Sequence, residues 1–165
     1  MLKNFCNEII SRGFWHQSTD DDGIKKLLSK KTTGYIGFDC TSDSLHVGSL
    51  LPLMLLRLFQ KSGHKPIILV GGGTTLIGDP SGKDETRKIL STSDINNNKK
   101  NLKKIFKKFL SFDKSQNNSA ELVDNYDWLS RLKLIPFLRN TGSKFSINKM
   151  LSLESIKQRL GREQH

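Results

Sequence analysis

Two spacings of apolar residues alternate along the chain. Leu2, Phe5, Ile9 and Ile10 share one side of a helix predicted over residues 2–12, and Gly13 marks its end. Thr19-Asp20-Asp21-Asp22 places a cap and three carboxylates ahead of a second helix, residues 23–30. Acidic groups there suit the positive end of the helix dipole. Residues 33–39 are a short apolar run bounded by a glycine and polar residues, which predicts a buried strand. Residues 46–63 are almost unbroken in Leu, Met and Phe and predict a buried helix. Pro52 falls near its start, where a missing N–H is tolerated. Residues 66–70, PIILV, are apolar throughout, the pattern of a parallel strand covered on both faces.

The second half is more polar. Residues 71–83, GGGTTLIGDPSGK, predict a loop. Leu102, Ile105, Phe106, Phe109 and Leu110 recur at helical spacing within a helix predicted over residues 92–112, with lysines on its other side. A polar loop follows at 115–119, then helices over 132–140 and 152–160, the last with Ser152 as its cap. No internal repeat is visible.

Strand, tight loop and helix start recur in the order that builds an anion site from backbone N–H groups and the helix dipole. Gly48 lets a ligand approach the backbone, and Thr41 and His46 add side-chain donors. In open α/β sheets such ligands bind at the carboxyl edge of the strands. The glycine-rich loop fits neither of two common phosphate motifs. Gly78 and Gly82 are too close for a P-loop, and Lys83 is followed by Asp84 rather than Ser or Thr. Leu76 stands where the third glycine of a dinucleotide fingerprint belongs. The aspartate run 20–22 has no further ligands in spacing and is read as a cap rather than a metal site.

Composition narrows the class. The 165 residues suit one hydrophobic core, and no apolar run is long enough to span a membrane. Cys6 and Cys40 give neither a disulfide framework nor zinc spacing, and the first residues lack a signal-peptide core, so a cytoplasmic setting is expected. Net charge is +11, and residues 99–114 hold seven lysines against one aspartate. That balance suits a polyanion such as RNA. Abundant Lys, Asn and Ile also follow from A+T-rich coding, and that reading takes precedence for this segment.

The residues that carry chemistry resemble a known family. Tyr35-x-Gly37-Phe38-Asp39-x-Thr41-x-x-Ser44-Leu45-His46-x-Gly48 and Gly78-Asp79-Pro80-Ser81-Gly82-Lys83 resemble the bacterial tyrosyl-tRNA synthetases, a class I family. The H-x-G-H box of that class stands here as His46-Val47-Gly48-Ser49, with serine in the last position. Asn125-Tyr126-Asp127-Trp128 and residues 144–148 are similar to further family segments. The resemblance implies an α/β fold: a partial Rossmann-like (HUP-type) nucleotide-binding parallel sheet with flanking helices, in truncated form. Residues 1–32 would be an N-terminal helical segment and 33–165 the first half of the catalytic domain.

The resemblance also implies roles. Thr41, His46, Lys83 and Arg87 match positions that contact the ATP phosphates. Gly37, Asp39, Gly48 and Ser49 join Thr41 and His46 around the nucleotide. Tyr35, Thr74, Asp79 and Asn125 match the tyrosine pocket. The implied reaction activates tyrosine with ATP, accompanied by Mg2+, and passes it to tRNA(Tyr); the implied assembly is a homodimer. The rest of the catalytic domain, its mobile K-M-S-K-S-type loop and the tRNA-binding domains would fall outside these residues. The isolated chain is therefore expected to be inactive and marginally stable. Alternatives are a related tryptophanyl enzyme, another H-x-G-H nucleotidyltransferase, or a defective chain that only binds ATP, RNA or an intact subunit.

Overall fold

The computed structural model describes residues 4–78, 90–153 and 156–157. Its elements follow in the order α1 (Phe5–Ser11), α2 (Asp21–Leu28), β1 (Thr33–Asp39), α3 (Val47–Lys61), β2 (Lys65–Gly71), α4 (Gly72–Ile77), α5 (Thr92–Phe109), β3 (Glu121–Asp124), α6 (Tyr126–Leu129), α7 (Leu134–Asn140) and α8 (Ile147–Leu151), with a 3-10 turn at Gly142–Lys144. The strands form one parallel sheet in the order β1-β2-β3. Asp39 pairs with Gly71 and Val70 with Asp124, so the strands finish level at one edge.

Helices α3 and α5 cover one face of this sheet. Phe38, Ile68 and Val70 point into a core with Leu53, Leu56, Ile95, Leu102 and Phe106. Helix α5 begins with a reciprocal cap: the Asp94 N–H donates to Ser91 Oγ at 3.1 Å, and the Ser91 N–H to Asp94 Oδ2 at 3.3 Å. It ends at Phe109, short of the predicted residue 112, because Leu110 turns to extended backbone and buries its side chain.

The sequence reading needs correcting in several places. Burial on both faces does not hold for β1 and β2. Tyr35, Gly37 and Asp39 are exposed, and Ile67 and Leu69 half-buried, because no element among the described residues covers that face. Pro52 stands in the second turn of α3 rather than at its start, and so deprives the Gly48 carbonyl of the usual helical donor. Neither β3 nor α4 was expected: ELVD has only two apolar residues between acids, and GGTTLI opens on glycines. The predicted helix over 152–160 lies largely outside the described residues, and Ser152 closes α8 instead of capping a new helix. The aspartate run does act as a cap, with Asp20 Oδ1 accepting from the Gly23 N–H at 2.9 Å.

Helix α1 docks on the far end of α3. Phe5 meets Phe59 edge-on at 5.1 Å, and Phe59 stacks on His64 at 4.6 Å. His64 is fully buried, and its Nδ1 accepts from the Thr32 N–H at 3.4 Å. Its Nε2 meets no partner among the described residues. Burial disfavours the charged imidazolium and holds the pKa below the usual 6.5. The unfolded chain therefore binds this proton more readily. The stability tied to neutral His64 is complete above pH 6.5 and falls away as pH drops below it. Urea denaturation at pH 7.5 and pH 5.5 is expected to show a loss of stability on acidification. His64→Phe should shrink that difference while keeping the aromatic stack.

Opposite the carboxyl edge, Gln60 ties α3 to the α5–β3 connection. Its Nε2 donates to Ser111 O at 2.8 Å and Asn118 O at 3.1 Å, and its Oε1 accepts from the Ser111 N–H at 2.9 Å. The Gln60 carbonyl accepts from Asn118 Nδ2 at 2.7 Å.

Candidate functional site

Three helices, α3, α4 and α6, start at the carboxyl edge, and α3 and α4 differ in what their first N–H groups meet. At α4 the Gly72 N–H donates to Asp124 Oδ1 at 3.1 Å and the Gly73 N–H to Asn125 Oδ1 at 2.7 Å. Both acceptors stand at the end of β3. A Cβ on residue 72 would come within 2.4 Å of Asp124 Oδ1, so only glycine admits this cap. Asp124 Oδ1 also accepts from the Tyr126 N–H at 3.0 Å, and Oδ2 from Lys99 Nζ at 2.8 Å. This capping is why Gly72 and Gly73 open a helix rather than the predicted loop.

Helix α3 is the opposite case. His46 occupies its cap position, and its side chain accepts from no backbone N–H of the helix. The His46 carbonyl accepts from the Ser49 N–H at 2.9 Å, while the Val47 and Gly48 N–H groups have no protein acceptor among the described residues. An uncapped start of a 15-residue helix offers donors and positive potential to an anion. Of the two starts, α3 is open and α4 is closed.

Above the open start lies a cleft of about 620 Å³, within the range of small-molecule sites. Gly37, Asp39, Thr41, His46, Gly48 and Ser49 all line it. The His46 ring folds back over its own helix: a Cβ on residue 48 would meet His46 Cε1 at 2.9 Å. Gly48 is thus needed by the imidazole as well as by any ligand. Ser49 Oγ stands 3.2 Å from His46 Nε2, so the serine of the altered box touches the box's remaining histidine.

The residues expected for the amino-acid pocket sit beside this cleft rather than in it. Asn125 Nδ2 donates to Thr74 Oγ1 at 3.2 Å, and Thr74 Oγ1 donates to Asp39 Oδ1 at 3.1 Å. Asp39 therefore joins the two groups. Tyr35 stands on the uncovered face of β1 and is 68% exposed, bonded to neither group. Asp79, Lys83 and Arg87 lie outside the described residues. Sequence reasoning missed Thr75 and Asn98, whose side chains bond the backbone of Cys40 just ahead of Thr41. Asn98 left one signal, a polar residue inside the buried stripe Ile95, Leu102, Phe106. The Cys40 thiol is pushed up to about 12, first by burial and then by the Asp124 charge, so it stays neutral and serves packing.

A parallel sheet whose carboxyl edge carries an open helix start over a polar cleft defines an α/β protein of Rossmann-like class. Residues 27–165 match the family model for tRNA synthetases class I (W and Y), and the chain belongs to that family. It is 55% identical over 164 residues to the tyrosine–tRNA ligase of Pelagibacter ubique, covering 99% of this chain and 40% of that protein. It is 49% identical over 162 residues to the tyrosine–tRNA ligase of Rickettsia bellii, covering 98% and 39%. Among solved structures it superposes on a C-terminally truncated mitochondrial tyrosyl-tRNA synthetase of Aspergillus nidulans. That match has a TM-score of 0.79 and 27% identity, and covers 96% of this chain and 47% of the other. The chain spans about two fifths of the length of the curated relatives it matches.

Proposed function

We propose that these residues form the nucleotide-binding part of a tyrosine–tRNA ligase. The observation that carries this reading is the gathering of Gly37, Asp39, Thr41, His46, Gly48 and Ser49 in one cleft at the uncapped start of α3. The names of the relatives select tyrosine over tryptophan. In the proposed reaction a tyrosine carboxylate oxygen bonds to the α-phosphorus of ATP, and the bond from that phosphorus to pyrophosphate breaks. A ribose hydroxyl at the 3′ end of tRNA(Tyr) then bonds to the tyrosyl carbonyl carbon, and the bond from that carbon to the adenylate oxygen breaks, releasing AMP. Such a step asks the protein for placement and charge stabilisation rather than covalent help. Thr41, His46 and the free N–H groups of α3 supply donors, joined by Lys83 and Arg87. Tyr35, Thr74, Asp79 and Asn125 serve the amino acid.

Mg2+ arrives with the nucleotide, coordinated mostly by phosphate oxygens. A second copy of the chain is the proposed occupant of the apolar surface at Leu134, Ile135, Phe137, Phe145 and Ile147, all exposed. This matches the homodimer that the family resemblance implies. The reaction belongs to cytoplasmic protein synthesis.

Heteronuclear NMR titration, which detects even millimolar binding, tests the reading. ATP is expected to shift the amide signals of Thr41, His46, Gly48 and Ser49. Tyrosine is expected to shift those of Tyr35, Thr74 and Asn125, and tryptophan to shift them less. Silence from both ligands, or a preference for tryptophan, would overturn it.

A further inference from the structure

Thr41 and His46 are held in the cleft by a loop with few ties of its own. Between the end of β1 and the start of α3, residues 41–45 form no regular element. Among the described residues, their only hydrogen bond is internal, from Ser42 Oγ to Asp43 Oδ1 at 3.4 Å. The direction in which this loop leaves the sheet is therefore set at Cys40.

Cys40 is the residue after the last sheet pair, Asp39 with Gly71. Its N–H donates to Thr75 Oγ1 at 3.0 Å, and its carbonyl accepts from Asn98 Nδ2 at 2.9 Å. Two helices thus take over the backbone groups that a longer strand would have paired. Both bonds are buried, as are Thr75, Asn98 and the Cys40 side chain. Buried backbone groups need partners, so these contacts restrain the peptide on both sides of Cys40.

The two restraints are connected. Lys99, next to Asn98, bonds Asp124, and Asp124 caps α4, which carries Thr75. One turn of α5 therefore holds Cys40 directly through Asn98 and indirectly through α4. The lysine-rich helix, whose apolar stripe accounts for its packing, has a second task at its buried polar position.

We propose that Asn98, together with Thr75, is a positioning residue. It fixes the exit of β1 so that Thr41 and the approach to His46 face the phosphates of a bound nucleotide. This rests on the ATP reading given above. It assigns Asn98 no contact with the ligand, because the side chain is spent on the Cys40 carbonyl.

The test compares the unaltered chain with Asn98→Ala, Asn98→Asp and the control Ile95→Val. The aspartate keeps the shape of Asn98 but, once ionised, has no proton to donate. The control perturbs the same buried stripe without touching Cys40. Hydrogen exchange of the nucleotide-free chain is read at the Cys40 amide, which Thr75 Oγ1 protects. Loss of one hydrogen bond should speed exchange there by about tenfold in both Asn98 variants. Ile95→Val should raise exchange evenly along the chain. ATP affinity should fall by about tenfold in the Asn98 variants, with tyrosine affinity held within about twofold, the pattern expected when one bond acts on one ligand alone. Unchanged exchange at Cys40, or an equal fall in both affinities, would overturn the proposal. Failure of the unaltered chain to bind ATP would instead overturn the nucleotide reading. The exchange data, taken without ligand, would still decide whether Asn98 holds the loop.

Discussion

His46→Ala, made in a complete enzyme carrying these residues, is expected to slow adenylate formation by about 10²–10³-fold, or roughly 2.7–4 kcal/mol of barrier. The reason is where the imidazole stands. It stands at the uncapped start of α3 and lines the cleft together with Thr41 and Ser49. A donor fixed there before reaction does not need to reorganise as charge develops on the phosphate. Tyrosine affinity should change little, because Thr74 bonds Asn125 and Asp39 rather than His46. Rapid-quench measurement of adenylate beside equilibrium dialysis of tyrosine separates the two effects. A normal rate of adenylate formation would remove His46 from the chemistry.

The largest expected effect on stability is at Phe106. Its ring is fully buried and lies 5.1 Å from the Phe38 ring, tilted by 56°, where α5 meets β1. Phe106→Ala deletes that contact and leaves a cavity bounded by Leu53, Leu102 and Ile68, all themselves fully buried. Such substitutions cost about 3–5 kcal/mol. Against a typical domain stability of about 5–15 kcal/mol, that is a large share. The midpoint of urea denaturation should fall steeply. A loss under about 1 kcal/mol would mean that α5 is not seated on the sheet, since well-packed core sites lose more.

Long apolar periods were the legible part of this sequence. The strand at 33–39 matches β1 residue for residue, and the helix read over 46–63 trims to α3. Their order alone placed an anion site at the start of α3. Elements made by tertiary contacts were not legible. Helix α4 exists because Asp124 and Asn125, some 50 residues away, cap two glycines; no local propensity encodes that. Strand β3 is too short and too acidic at its ends to stand out, and it is fixed by its register with β2. The uncovered face of β1 was misread because apolar residues say that a strand can be covered, not that it is. The signal left by Asn98 was easily passed over for a simpler reason. Beside so many lysines, one more polar residue on an amphipathic helix looks like surface.

The amide of Gln60 makes the bonds that a peptide unit would make in a sheet, accepting from one backbone N–H and donating to two carbonyls. It acts as a splice. By joining Ser111 to Asn118 through α3, it fixes the two ends of the intervening segment, whose middle is held by short turns at Asp113 and by Lys31 donating to the Asn117 carbonyl. Residues 113–117 are polar and exposed, and they lie at the edge of the sheet away from the cleft. The chain thus carries a natural seam, a place where added sequence would lengthen a loop whose closure is already secured. A fluorophore or an affinity handle inserted there would report on the molecule without crowding the edge where ligands bind.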